Sequence, residues 1–182
     1  MKNNIIVLLG KSNAGKTTLA KQIEEELGYE KIVTCTTRPK RKGEKEGIDY
    51  HFLTVEESKR LIEKGEILEY EIFNDWIYST RFCDIDLNKK QVIVLNPSGY
   101  KTLKNKFPDN VLGIYIKPNF FTRIHRIINR DKGSYREAIR RYFADEKDFK
   151  DVDKLSKTHI LKANNNASYN LHRAWEIINY EK

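Results

Sequence analysis

Eight consecutive residues constrain this chain more than any others: Gly10-Lys11-Ser12-Asn13-Ala14-Gly15-Lys16-Thr17. They fit G-x-x-x-x-G-K-[ST]. The apolar run Ile5-Ile6-Val7-Leu8-Leu9 precedes them and an amphipathic stretch, residues 19–27, follows. A strand must end at this turn and a helix must start from it. Gly10 and Gly15 let the backbone bend until successive N–H groups converge on phosphate oxygens. The helix beginning near Lys16 adds the positive end of its dipole. Lys16 supplies a mobile cation for β- and γ-phosphates, and the Thr17 hydroxyl suits Mg²⁺. The candidates for holding a triphosphate are therefore Gly10, Ser12, Asn13, Ala14, Gly15, Lys16, Thr17 and Thr18, with Thr17 the candidate metal ligand. Alone, such a loop does not separate a kinase from an ATPase or a GTPase.

The chain has 182 residues. That length predicts about one domain, enough for a sizeable core. A hydrophobic content of 39% and a charged content of 33% fit a soluble globular chain. No apolar run approaches the roughly 20 residues of a membrane helix. Met1-Lys2-Asn3-Asn4 runs straight into the first strand, so no cleaved signal is expected. Cys35 and Cys83 make neither a disulfide framework nor a metal-spaced pair, and the four histidines are scattered. A reducing cytoplasm is the expected location. A net charge of +8 points to anionic partners, nucleotides or nucleic acid. Much of it lies in residues 38–45 and 123–141, which suits a site for two polyphosphates. No helix-turn-helix, zinc-knuckle or RRM signature argues for nucleic acid. Monomer and homodimer both stay open.

Leu19, Ile23 and Leu27 give the first helix its buried face, and Gly28 suits its C′ position. Ile32-Val33-Thr34-Cys35-Thr36 reads as a second strand and Asp49-Tyr50-His51-Phe52 as a short one. Thr54-Val55-Glu56-Glu57 has capping-box form and predicts a helix to about Glu63, ended by Gly65. Residues 67–73 alternate. Leu68, Tyr70 and Ile72 read as a core face; Ile67, Glu69 and Glu71 read as an exposed face or a cleft wall. Trp76-Ile77-Tyr78 pairs back as a hairpin. Gln91-Val92-Ile93-Val94-Leu95 reads as a buried parallel strand, residues 97–106 as a helix and 111–116 as the next strand. Helices are predicted over 120–129, with Ile124, Ile127 and Ile128 inward, and over 135–149, around a loop at 131–134. His159-Ile160-Leu161-Lys162 reads as the last strand. The final helix should bury Leu171, Ala174, Trp175 and Ile178. Alternating strands and helices predict an α/β fold, a parallel sheet covered on both faces in three layers, with residues 37–80 inserted as a small α+β unit.

The run Thr34-Cys35-Thr36-Thr37-Arg38-Pro39-Lys40-Arg41-Lys42-Gly43-Glu44, followed by Gly47-Ile48-Asp49-Tyr50-His51-Phe52, resembles the guanylate kinase family. Glu69 and Tyr78 fall at matching places. The resemblance implies a P-loop kinase that uses ATP and Mg²⁺ to phosphorylate GMP or dGMP. It also implies one domain with a core (1–36, 81–123, 142–182), a monophosphate-binding insert (37–80) and a helical lid (124–141). Matching positions imply Arg38, Arg41, Tyr50 and Tyr78 on the acceptor phosphate, and Thr34, Glu69 and Thr80 on guanine. Lys16 and Arg38 would be catalytic, with Arg130 and Arg141 as lid cations. Arg126 and Arg140, on the same helices, are their substitutes.

Elementary chemistry agrees. Guanidinium forks clamp phosphate bidentately. A carboxylate at Glu69 accepts from N1–H and the 2-amino group of guanine, a donor pair adenine lacks. Plainer roles stand beside these: core aromatics for Tyr50, Tyr70 and Tyr78, a solvated strand residue for Glu69, and a solvent-exposed basic helix pair for the lid arginines.

The chain departs from the family pattern in several places. Asn13 replaces a glycine, and asparagine tolerates positive φ. A D-x-D strand end becomes Val94 and Asn96, which removes a carboxylate from the Mg²⁺ site and weakens a guanine or ribose contact. Ser79-Thr80-Arg81 replaces Gly-Ser/Thr-x, and the segment 80–91 is short. These changes imply a divergent, phage- or bacterial-type branch. Two other readings keep the fold: a kinase for another nucleotide or small phosphorylated acceptor, and a non-catalytic interaction module. Lys16, Thr17, Arg38 and Arg41 argue against the module.

Overall fold

The structure is a computed structural model that describes residues 3–73, 75–120, 122–123, 126, 145, 149–150, 152, 155 and 158–181. Five parallel strands form the central sheet: β1 (Ile5–Leu9), β2 (Glu30–Lys31), β7 (Gln91–Val94), β8 (Val111–Pro118) and β9 (Thr158–Ala163), in the order β2-β7-β1-β8-β9. All five side chains of β1 are fully buried, as a central parallel strand requires. Ile6 and Leu8 point to one face, where Val92, Leu112 and Ile114 join them against α1 (Lys16–Leu27) and α4 (Ala167–Tyr180). Ile5, Val7 and Leu9 point to the other, against Tyr100 and Leu103 of α3 (Pro97–Lys106) and against Phe149 and Val152. Each such side chain contributes roughly 1.5–3 kcal/mol of burial. The result is the expected three-layer α/β/α core.

A second sheet stands between β2 and β7 in the sequence. It comprises β3 (Cys35–Thr36), β4 (His51–Phe52), β5 (Ile67–Phe73) and β6 (Trp76–Arg81), in the order β4-β3-β6-β5, with α2 (Val55–Glu63) between β4 and β5. The capping box of α2 is formed: Thr54 Oγ1 accepts from Glu57 N at 3.1 Å, and Glu57 Oε2 accepts from Thr54 N at 2.7 Å. The short segment after β6 holds only a single 3₁₀ turn, Phe82–Asp84.

Three readings of the sequence need correction. Residues 32–36 are not one strand. Glu30–Lys31 pairs with β7 in the central sheet, whereas Cys35 and Thr36 pair with Ser79 and Tyr78 in the second. β-Branched composition reports a fit to a pleated surface and not the identity of the partner strand. On β5 only Leu68 of the expected core face is buried; Tyr70 and Ile72 are 54% and 65% exposed. This strand is an edge of its sheet, and its opposite face, with Glu69 and Glu71, turns to the cleft. Trp175 is 47% exposed beside the buried Leu171, Ala174 and Ile178, stacked on His172 at 6.0 Å. The helices and loop expected over 120–149, apart from a few residues, lie outside the described residues. Among the described residues no helix is long and apolar enough to cross a membrane.

Candidate active site

The loop after β1 emerges at the carboxyl end of the central strand, where open parallel sheets bind ligands. Gly10 is required there: a Cβ would lie 3.0 Å from both Ala14 Cβ and the Ile116 carbonyl. Asn13 and Gly15 take φ of 61° and 99°, so asparagine does accept the left-handed turn. These turns aim the backbone N–H groups inward. The first turn of α1 carries no acidic side chain of its own to offset its positive end. Lys16 Nζ arches over the loop, donating to Gly10 O at 2.6 Å and Lys11 O at 3.1 Å. Thr17 and Thr18 expose their side chains at the helix start. Arg126 braces the loop from behind, donating to Ala14 O at 3.1 Å.

Facing the loop is a basic wall built by the second sheet. Arg38 is 8% exposed. Its Nη2 donates to both Glu44 carboxylate oxygens, at 2.8 and 3.0 Å, and its guanidinium lies 5.5 Å from the Tyr50 ring centre. Glu44 Oε2 also accepts from Arg41 N at 2.8 Å. Partial burial opposes ionisation of Glu44, but the Arg38 guanidinium and the Arg41 N–H hold its carboxyl below the usual range. Tyr50 and Tyr78 meet edge to face at 6.1 Å. Burial, and then the neighbouring Tyr78, push the Tyr50 hydroxyl up, so it stays a hydrogen-bond donor at neutral pH. One cavity of about 800 Å³ is lined by residues 12–18 on one side and by Arg38, Arg41, Tyr50 and Tyr78 on the other.

An adjoining cavity of about 210 Å³ is lined by Thr34, Glu69, Glu71 and Asn96 among others. Thr80, fully buried on β6, donates its hydroxyl to Glu69 Oε1 at 2.5 Å. Burial pushes the Glu69 carboxyl up, Thr80 opposes that, and nearby Glu71 adds to it. Asn96 caps α3, its Oδ1 accepting from Gly99 N at 2.6 Å, which leaves its amide NH₂ for the cavity. A Cβ on Gly99 would stand 2.8 Å from Glu69 Oε2, so glycine is what admits the carboxylate beside the helix.

Apart from Thr80, which acts from behind Glu69, the expected residues within the described chain meet along these two cavities. Arg130 and Arg141 lie outside the described residues. Glu69 is enclosed and hydrogen-bonded, not solvated. Val94 lines both cavities and brings no carboxylate. Sequence reasoning missed Gly99 as a site residue, and it missed Asp145, which binds Ser12 from far along the chain. The alternation in 67–73 placed Glu71 beside Glu69 on an exposed face or a cleft wall, and the structure puts both on the cleft wall.

A parallel sheet, a phosphate loop on its central strand and an arginine-lined anion site across one cleft define a P-loop phosphotransferase. A guanylate kinase family model matches residues 2–171. The chain is 35% identical over 144 residues to a guanylate kinase of Thermotoga maritima, covering 76% of this chain and 68% of that protein. It is 36% identical over 132 residues to one of Enterococcus faecalis, covering 69% and 65%. It thus spans about two thirds of the length of these relatives. A crystal structure of guanylate kinase from Anaplasma phagocytophilum shares the fold, with a TM-score of 0.76 at 23% identity over 99% of this chain and 86% of that one. The chain belongs to the guanylate kinase family.

Proposed function

We propose that this chain transfers the γ-phosphoryl group of ATP to GMP or dGMP. The observation that carries the reading is the single 800 Å³ cleft with a phosphate loop on one wall and Arg38, Arg41, Tyr50 and Tyr78 on the other. Two anion sites facing each other are what a donor triphosphate and an acceptor monophosphate need. Gly10, Ser12, Asn13, Ala14, Gly15, Lys16, Thr17 and Thr18 hold the donor. Arg38 and Arg41 fork the acceptor phosphate, with the tyrosine hydroxyls completing its oxygens. Thr34 and Glu69 read guanine, Thr80 holds the Glu69 carboxylate from behind, and Asn96 adds a weaker contact. Lys16 and Arg38 neutralise charge on the transferring group, aided by Arg130 and Arg141 from a lid over 124–141. No general base is needed, because the nucleophile is a phosphate oxygen already ionised near neutral pH. The work is alignment and charge neutralisation.

The donor set fits Mg²⁺ arriving on the phosphates, since this ion keeps waters and takes few protein ligands. Thr17 supplies the protein ligand, and among the described residues no cluster of three acidic, histidine or cysteine side chains forms a separate cage. When bound there, held by Thr17, the ion would supply positive charge that neutralises the phosphates.

A coupled ADP-release assay with ATP and a panel of nucleoside monophosphates tests the reading. Turnover of GMP or dGMP well above AMP is expected. Equal turnover of AMP would overturn the Glu69 assignment, and no turnover with any acceptor would overturn the kinase reading.

A further inference from the structure

An anionic side chain already sits at the mouth of the phosphate loop. Asp145 Oδ2 accepts from Ser12 N–H at 3.0 Å, and Oδ1 accepts from the Ser12 hydroxyl at 3.1 Å. Oδ2 also accepts from Arg123 Nη2 at 2.6 Å. Arg123 and Asp145 are only 8% and 12% exposed. Asp145, Ser12 and Lys16 line one cavity, which also reaches Tyr50 and Tyr78 of the acceptor wall.

Two carboxylate oxygens on the N–H and O–H of one loop residue copy what a phosphate does at such a loop. The Ser12 donors cannot serve a carboxylate and a phosphate together. A carboxylate and a phosphate crowded onto the same donors also repel each other. Arg123, by contrast, must keep an anionic partner, because an unmatched buried guanidinium is strongly unfavourable. Phosphate satisfies that demand as well as carboxylate does, since both match the guanidinium fork.

We propose that Asp145 stands in for the donor's terminal phosphate, and that the arriving triphosphate displaces it from Ser12 and takes over Arg123. Arg123 is then a further ligand of the transferring phosphoryl group, and Asp145 sets the threshold for admitting it. This rests on the loop being a triphosphate site. A nucleoside diphosphate lacks the terminal phosphate and leaves the Asp145 contacts in place, so the device favours ATP over ADP through Arg123 while taxing ATP through Asp145.

The test is equilibrium binding of β,γ-imido-ATP and of ADP to the full chain by calorimetry, without acceptor. Asp145→Asn is expected to tighten the imido analogue about tenfold and to move ADP less than twofold. Arg123→Gln is expected to weaken the analogue about tenfold or more, again with ADP little changed. The double variant Arg123→Gln/Asp145→Asn removes both buried charges together and guards against misfolding of either single variant. It should bind ADP normally, and its analogue-to-ADP ratio should fall about tenfold below that of Asp145→Asn, back to the wild-type range, because the two single effects are opposite in sign. An unchanged analogue-to-ADP ratio in Asp145→Asn, a double variant whose ratio equals that of Asp145→Asn, or analogue binding selectively weakened by Asp145→Asn, overturns the proposal. Failure of the wild-type chain to bind either ligand overturns the donor-site reading itself, and the proposal with it.

Discussion

Replacing Thr80 with valine removes one hydroxyl and almost no volume from a fully buried position. The lost interaction is the 2.5 Å hydrogen bond to Glu69 Oε1. A hydrogen bond to a charged group is worth about 1.5–3 kcal/mol. Burial already disfavours the Glu69 carboxylate, Thr80 counteracts it, and Glu71 reinforces it. Without the hydroxyl, Glu69 keeps its proton to higher pH, and a protonated carboxyl cannot accept both guanine donors. The expected result is a loss of kcat/KM for GMP of roughly ten- to a hundredfold on the acid side of neutrality. The loss should shrink as pH rises and ionisation is restored. AMP, which needs no carboxylate, should change little. Steady-state ADP release measured with both acceptors from pH 5.5 to 9 gives the answer. Glu69→Gln serves as the control: it should lose guanine preference at every pH. Equal losses for GMP and AMP, or a GMP loss that ignores pH, would refute the argument.

Gly99→Ala puts a Cβ 2.8 Å from Glu69 Oε2, so KM for GMP should rise severalfold while the melting temperature holds. An unchanged KM would mean that the carboxylate has room to retreat without cost. Thr54→Ala breaks the capping box of α2 and should remove about 1 kcal/mol, lowering the melting temperature by about 2–4 °C in calorimetry. Cys83 is exposed, whereas burial pushes the Cys35 thiol up to about 11. A disulfide reagent at pH 8 should therefore modify one thiol per folded chain quickly and the second only on unfolding; two equal fast phases would contradict this.

The donor half of the site is readable because it is local. Strand, glycine turn and helix start are adjacent in the chain, and each residue type there has one dominant physical reason. The capping box of α2 is readable for the same cause. The alternation in 67–73 gave two faces but not how far the fold would cover each, so Tyr70 and Ile72 read as core although only Leu68 of that face is buried. Cys35 and Thr36 have strand propensity, but propensity does not name a sheet. Trp175 falls on the margin of the apolar stripe of α4, where helical spacing alone does not separate core from rim. The Ser12–Asp145 contact spans 133 residues and leaves no periodic or compositional trace.

The placement of the two tryptophans has an optical consequence. Trp76 lines the large cavity beside the acceptor wall, while Trp175 lies outside that lining, on α4 against His172. In a Trp175→Phe chain, all tryptophan emission comes from the cleft. GMP should then change the colour and intensity of that emission, and titrating it reports acceptor occupancy without a label and without turnover. The folded chain thus carries its own lamp at the mouth of the site.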